Sequence, residues 1–319
     1  MERWPIAGGF TIARGTKIEA VVVVASVTRR GITGRGECVP YARYGESVEG
    51  VVQALHAQAD PLARGADRAE VQATMPPCAA RNALDCALWA LAARSAGVPV
   101  WQLAGLPPPQ PVTTAYTLSL GEPAAMAAAA ARAAARPLLK IKLGGEGDEE
   151  RIRAVRRAAP EATLIVDANE SWTDATLARN LAACAAAGVA LIEQPLPAGA
   201  DAVLEGFDSS VPLCADESFH GRDGLDALVR RYACVNLKLD KTGGLTEAIA
   251  VAAAVRERGL DLMVGCMLGT SLGMAPAFLL TPWARFVDLD GPLLLTRDRQ
   301  PGFAFEGSTM LPAPPGLWA

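Results

Sequence analysis

The run "LLKIKLGG", residues 138–145, sets two lysines one residue apart in an apolar stretch that ends on two glycines. Read as a β-strand, it projects Lys140 and Lys142 from the same face. Two ammonium groups side by side repel, so either that face is solvated or strong negative charge stands opposite. Seven further short apolar runs resemble this one and also end on polar residues: "VTTAYTL", "TLIVDA", "VALIEQ", "PLCADE", "CVNLKL", "LMVGCM" and "RFVDLD". Helical patterns such as "PAAMAAAAARAAA" and "DEERIRAVRRAA" fill the intervals. From Lys142 through Asp167, Glu193, Asp216, Lys238 and Gly265 to Asp290, the strand ends recur about 25 residues apart, room for one strand, one helix and two loops. Eight such units predict an α/β fold, a modified (β/α)8 TIM-type barrel over residues 111–295. No G-x-G-x-x-G follows a first strand, which argues against a dinucleotide-binding sheet.

The first 110 residues read differently. "IEAVVVVASVTRRGITGRGECVPY" predicts two antiparallel strands joined by a turn near Gly31, with helices near 47–60 and 77–96. Residues 1–110 therefore read as an α+β unit ahead of the barrel. Residues 296–319, Pro-rich at their end, are expected to return to it. Composition narrows the function. The chain has 319 residues, is 51% hydrophobic and carries a net charge of -4 with no long basic run, so nucleic acid is not an expected partner. No apolar stretch reaches bilayer length and the first residues lack a signal peptide's apolar core. Seven cysteines without a C-x-x-C pair, mostly in apolar contexts, fit reduced thiols and a cytoplasmic location. With only two histidines, zinc and Ser-His-Asp chemistry are disfavoured, and the chemistry falls to Lys, Asp and Glu.

In a barrel of this kind the C-terminal strand ends converge on one mouth. Asp167, Glu193 and Asp216, on consecutive strands, would then face a common point, where three like charges cannot all stay ionised without a cation. An all-oxygen donor set selects a hard ion, Mg²⁺ with Mn²⁺ as a substitute; separate salt bridges to the lysines are the plain alternative. Lys142 stands on the strand before this trio and Lys238 on the strand after it. A dication and the Lys140 ammonium would both depress a lysine pKa and make a neutral amine available as base. Two bases on opposite faces of a carbon acid imply racemisation or epimerisation, and one base with a leaving group implies elimination.

The motifs "DANESW", "EQPLP", "ADES", "VNLKLDKTGGLTEA", "GCMLGTS" and "DLDGP", with the N-terminal "FTIARGTKIEA" and "GECVPYARYGES", resemble the enolase superfamily. Within its muconate-lactonizing subgroup they are most like the bacterial L-Ala-D/L-Glu (dipeptide) epimerases. That resemblance covers essentially the whole chain and implies that residues 1–110 are an α+β capping domain over a modified barrel. It implies Asp167, Glu193 and Asp216 as metal ligands, Lys142 and Lys238 as the acid/base pair, and Lys140 as support for the developing oxyanion. Asp288 and Asp290 would hold a dipeptide's free ammonium, although a cap or ion-pair role is equally open to them. Arg14 would read a glutamate side chain, with Arg43 and Tyr44 as further capping-loop candidates. Asn169 and Glu217 would stand behind the ligands, and Asp240 and Lys241 are left as loop or supporting charges. The implied reaction is interconversion of L-Ala-D-Glu and L-Ala-L-Glu in murein peptide turnover. The partner is then a small dipeptide, and a homo-oligomer is compatible with the sequence. An o-succinylbenzoate synthase or cycloisomerase of the same superfamily, or a dipeptide epimerase of other specificity, would share the metal and the lysines. The glycine-rich "LGGEGDEE" after Lys142 departs from the pattern. A Schiff-base lysine barrel lacks any need for the acidic trio.

Overall fold

The computed structural model describes all 319 residues. Its N-terminal part is an antiparallel meander of β1 (Glu2–Ile12), β2 (Gly15–Arg29) and β3 (Ile32–Cys38). The β2–β3 turn is made by Arg30 and Gly31, both at positive φ (50° and 78°), the conformation a two-residue hairpin needs to match strand twist. β1 has no counterpart in the sequence reading. Its "ERWPIAGGFTI" lacks clean alternation, and the pairing with β2 shifts register between Pro5 and Phe10, around Gly8 and Gly9. The stretch expected as one helix near 47–60 breaks into Val48–His56 and Ala59–Ala63. The second expected helix runs Ala79–Ala96 and stops at Gly97, in the left-handed region at φ 67°, two residues before Pro99.

That helix lies on β3 with its backbone almost touching the sheet. A Cβ on Gly34 would stand 2.1 Å from the Ala87 carbonyl oxygen, and one on Gly36 2.2 Å from that of Ala83. The alternate glycines of "ITGRGEC" are therefore the groove that receives the helix.

The barrel consists of β5 (Tyr116–Leu118), β6 (Leu138–Lys142), β7 (Thr163–Asp167), β8 (Val189–Glu193), β9 (Leu213–Ala215), β10 (Cys234–Leu237), β11 (Asp261–Gly265) and β12 (Phe286–Asp288), parallel and in sequence order. "VTTAYTL", expected as one strand, is split. Val112–Thr113 is a separate β4 that joins β13 (Phe305–Glu306) and β14 (Thr309–Met310) in a small sheet of its own. The break lies at the barrel seam. Ala115 N–H donates to the Val287 carbonyl (2.8 Å), Leu289 N–H to Thr114 Oγ1 (2.9 Å), and Thr117 N–H to Asp290 Oδ2 (2.6 Å).

Inside, the pleat sorts residues by height. Ala115, Leu138, Ile165, Leu191, Cys214, Cys234, Met263 and Phe286, one per strand, form an apolar floor. Two residues further along each strand, on the same face, stand Thr117, Lys140, Asp167, Glu193, Asp216, Asn236, Gly265 and Asp288. Gly265 is the one position without a side chain in this upper layer, and a Cβ there would lie 2.4 Å from Asn236 Oδ1.

The capping strands are fastened to the barrel by buried bonds. Glu37 of β3 accepts from Thr270 N–H (2.8 Å) and from Arg299 (2.7 Å). Asp240 accepts from Val39 N–H (3.1 Å) and Asn82 (2.8 Å), and Arg81 donates to the Thr242 carbonyl (2.7 Å). Past the barrel, Thr296 N–H donates to Pro5 O (2.9 Å) and the Trp318 indole to Cys86 O (3.2 Å), so the two ends of the 296–319 segment touch the capping domain while its β13 and β14 pair with β4. No helix is long and apolar enough to cross a membrane.

The close helix–sheet approach predicts the effect of a single methyl group. Gly36→Ala should lower stability by about 1–3 kcal/mol through overpacking. Thermal unfolding should then show a midpoint several degrees below wild type, whereas Gly45→Ala, where nothing surrounds the added Cβ, should lose only what its left-handed backbone costs.

Candidate active site

The upper layer of the barrel is a ring of buried charges in which carboxylates and ammonium groups interleave. Lys140 Nζ stands 2.6 Å from Glu193 Oε2, 2.7 Å from Asp288 Oδ2 and 3.4 Å from Asp167 Oδ2. Lys142 Nζ donates to Asp167 Oδ2 (2.6 Å) and Lys238 Nζ to Asp216 Oδ2 (2.6 Å), with Glu193 Oε1 4.0 Å from Lys238. Lys241 donates to both the carboxylate and the backbone carbonyl of Asp216, each at 2.6 Å. All these side chains are nearly inaccessible to solvent, so each charge depends on its neighbours.

Their titration follows the same neighbours. Burial alone would raise Asp167, but Lys142 and Lys140 outweigh it and hold the carboxyl at about 2. Asp216 is likewise held well below its usual range by Lys238 and Lys241 against the effect of burial. Glu193 goes the other way. Burial, then Asp167 and Asp216 on either side, push it up. Burial would lower Lys140 and Lys238, yet the carboxylates around them hold both well above the ordinary lysine value. With the carboxylates in direct contact with the ammonium groups, attraction dominates over the mutual repulsion of the lysines.

As the side chains stand, no three acidic groups are close enough together to ligate one ion, because Lys140 and Lys238 lie between successive carboxylates. The donor set nevertheless fits a hard dication. It comprises three buried carboxylates at the ends of adjacent strands, with no imidazole or thiolate among them. Glu193 Oε2 makes no hydrogen bond, its 2.6 Å approach to Lys140 lying outside hydrogen-bond geometry. Asn236 Nδ2 fixes the other oxygen of Glu193 (2.7 Å), and Asn169 N–H holds Asp167 Oδ1 (2.9 Å).

Above the ring lies a cavity of about 650 Å³, roofed by the capping strands. Lys140, Lys142, Asp216, Lys238, Asp288 and Asp290 form its base, Phe10, Ile12 and Val39 an apolar wall, and Arg14, Lys17, Tyr41 and Arg43 its rim. Asp288 keeps Oδ1 unpartnered. Burial, then the Asp288 charge, raise Asp290 to about 7, and its Oδ2 is used at the barrel seam.

The capping-loop candidates do not stand free. Arg14 donates to Glu217 (2.7 Å), Glu170 (3.2 Å), Tyr41 Oη (3.1 Å) and the Asn169 carbonyl (3.0 Å). Arg43, more than a third exposed, makes a two-pronged contact with Glu170 at 2.8 and 2.7 Å. Tyr44 is not on the cavity wall. Its ring packs edge-on against His220 at 4.7 Å and Tyr41 at 5.4 Å. Asn169 reaches Glu217 only at 3.5 Å, and Glu217 is raised to about 7 by burial and then by Asp216 and Asp167.

Four participants carried no assigned role in the sequence reading. Lys241, left there as a loop or supporting charge, is a direct partner of Asp216. It sits one helical turn after Lys238, a spacing that could have signalled it. Asn236 lies two residues before Lys238 on the same strand face and could have been found by alternation. Glu170 is aimed at the cap by two successive non-glycine residues at positive φ, Asn169 (46°) and Glu170 (68°), which no propensity signals. Lys17 becomes visible only once the roof is in place.

Residues 1–105 match the model for the mandelate racemase / muconate lactonizing enzyme N-terminal domain, and residues 122–317 that for the enolase C-terminal domain-like family. The chain is 49% identical to an L-Ala-D/L-Glu epimerase of Escherichia coli, over 95% of each chain. It is 44% identical to an N-acetyl-D-glutamate racemase of a Pseudoalteromonas species, over 93% of this chain and 95% of that one. A solved enolase family member from Agrobacterium tumefaciens, described as having homology to dipeptide epimerases and holding sodium and L-Ala-L-Glu, superposes with a TM-score of 0.98. It has 54% identity and covers 100% of this chain and 98% of its own.

The interleaved ring makes a prediction about charge. Lys140→Met leaves three carboxylates short of one cation, and an uncompensated buried charge costs about 3–5 kcal/mol. Added Mg²⁺ should then raise the unfolding temperature of this variant by more than it raises that of wild type. An equal shift in both proteins would mean that the ammonium and the dication do not share the same counter-charges.

Proposed function

The chain belongs to the enolase superfamily, with the mandelate racemase / muconate lactonizing enzyme type of N-terminal domain, and on that footing we propose that it is an isomerase, a dipeptide epimerase acting on L-Ala-D-Glu and L-Ala-L-Glu. The observation that carries this reading is the placement of two lysines. The strands of Lys142 and Lys238 are separated by three others, half the circuit of an eight-stranded barrel. Their ammonium groups therefore approach the cavity base from opposite sides, with Asp167, Glu193 and Asp216 along the arc between them.

Mg²⁺, with Mn²⁺ as a substitute, would be held by Asp167, Glu193 and Asp216. When bound it supplies positive charge that favours ionisation at the substrate's α-carbon. The remaining steps belong to side chains. Lys142 takes the α-proton from one face of the C-terminal residue and Lys238 delivers a proton to the other; the reverse reaction exchanges the roles. Lys140, whose ammonium is fixed by three carboxylates, presents positive charge where negative charge grows on the substrate's carboxylate. Asp288, with one oxygen free, and Asp290 receive the substrate's N-terminal ammonium. The cap roof excludes water, and its basic rim, Arg14 included, faces the side chain of the residue being inverted.

The racemase relative gives a second reading, inversion of an N-acylated glutamate. It needs the same lysines and the same metal site but has no ammonium for Asp288 and Asp290. An o-succinylbenzoate synthase or cycloisomerase lacks that ammonium too. The acidic pair at the cavity base therefore supports the dipeptide. Murein peptide turnover in the cytoplasm is the process in which an L-Ala-D-Glu substrate would arise.

Incubation of the protein with Mg²⁺ in D₂O, offered a dipeptide library alongside N-acetyl-D-glutamate, tests the reading directly. Deuterium should enter the α-position of the C-terminal residue, with Ala-Glu the preferred substrate. Labelling of N-acetyl-D-glutamate alone would select the second reading. Lys142→Ala and Lys238→Ala should each abolish epimerisation while leaving slow exchange from one configuration, and near-normal epimerisation by either variant would rule out a two-base mechanism. Exhaustive removal of divalent cations should eliminate turnover and readdition of Mg²⁺ should restore it. Asp167→Asn, Glu193→Gln and Asp216→Asn should each cost several orders of magnitude in rate, on the scale of about 4 kcal/mol or more.

A further inference from the structure

We propose that Asp148 is a positioning residue for Lys142: it fastens the chain just behind this base and so sets where the ammonium stands. The proposal rests on the two-base reading above and gives a role to the glycine-rich run that follows Lys142. The two lysines are anchored differently. Lys238 opens directly into a helical turn, Leu239–Thr242, and its carbonyl accepts from the N–H groups of Lys241 (3.0 Å) and Thr242 (3.1 Å). Lys142 is the last residue of β6, and the chain then passes through Leu143, Gly144, Gly145, Glu146 and Gly147 before the helix Asp148–Ala158 begins. These glycines leave the backbone freest immediately behind the base. A fixed Lys142 therefore needs a fastening from outside its own strand.

Asp148 supplies one. Its side chain is inaccessible to solvent, and each oxygen accepts two hydrogen bonds. Oδ1 accepts from Gly144 N–H (3.0 Å) and Arg151 Nη1 (3.0 Å). Oδ2 accepts from Gly145 N–H (2.7 Å) and the Trp172 indole (2.8 Å). The acceptor capacity of the carboxylate is thereby filled. A capping side chain accepts from N–H groups inside the helix it starts. The backbone donors of Asp148 instead lie before the helix, on the segment leading back to Lys142. Trp172, fully buried, comes from the loop that follows Asp167. Asp148 thus ties the segment behind Lys142 to the segment behind the carboxylate that Lys142 contacts at 2.6 Å. The loop has the shape this needs. Gly145 stands at φ 97°, and a Cβ there would lie 2.9 Å from the Ser171 carbonyl oxygen.

The test reads the two bases separately. Entry of α-deuterium without inversion is followed in D₂O from Ala-L-Glu and from Ala-D-Glu, in wild type, Lys142→Ala, Asp148→Asn and Trp172→Phe. The configuration that Lys142→Ala still labels is the one served by Lys238. In Asp148→Asn, which turns one accepting oxygen into a donor, labelling of that configuration should stay within about threefold of wild type, while labelling of the other falls about tenfold. A purely structural role would lower both alike, and an imbalance of less than about threefold overturns the assignment. Trp172→Phe is a second arm that keeps the Asp148 carboxylate and removes one donor. It should shift the balance in the same direction by a smaller factor. Balanced labelling in Trp172→Phe overturns the assignment even if Asp148→Asn does not fold. Wild-type protein that labels no dipeptide would instead remove the proposed function itself, and this inference with it.

Discussion

Buried charge must be neutralised nearby, and the barrel mouth is arranged around that requirement. Four lysines and a larger number of carboxylates occupy a space almost closed to water, where an unpaired charge would cost several kcal/mol. Interleaving is the arrangement that satisfies it. Lys140 bridges Glu193, Asp288 and Asp167, and Lys238 with Lys241 flanks Asp216. The same interleaving prepares chemistry. Every ammonium is held at a defined place by a carboxylate, and the carboxylates together outnumber the lysines, which leaves negative charge for a further cation.

Much of this was legible in the sequence because a β-strand has a period of two. Leu138 then Lys140, Ile165 then Asp167, Leu191 then Glu193, and Phe286 then Asp288 each place an apolar floor residue and a polar site residue on one face. A reader who finds the strands therefore finds the ring. What was not legible depended on backbone conformation or on contacts between distant segments. β1 is disguised by Pro5, Gly8 and Gly9. The split at Thr114 is set by barrel closure, which no local pattern announces. Glu170 reaches the cap only because two neighbouring residues adopt positive φ. Arg14 was expected to be available, yet its partners on the barrel lie 155 to 203 positions away. Lys241, read from sequence only as a loop or supporting charge, turns out to be a direct partner of Asp216, and its helical spacing from Lys238 was the visible sign.

The cap is fastened unevenly. Near the C-terminal segment its bonds are buried. Glu37 meets Thr270 and Arg299, and Asp240 meets Val39 and Asn82. On the side of Arg14 and Arg43 the bonds are ion pairs whose arginines reach solvent while the carboxylates of Glu170 and Glu217 are largely buried. The roof thus meets the barrel through buried bonds along one edge and through half-buried ion pairs along the other, and the cavity base stays anchored to eight strands.

Asp290 joins two jobs that most barrels keep apart. One of its oxygens closes the seam between the last strand and the first, and the residue also lines the cavity. Replacing Asp290 would alter the cavity base and at the same time loosen the joint that turns an open sheet into a ring. The roof carries no such double duty, so variation should gather in the capping strands while Asp290 persists.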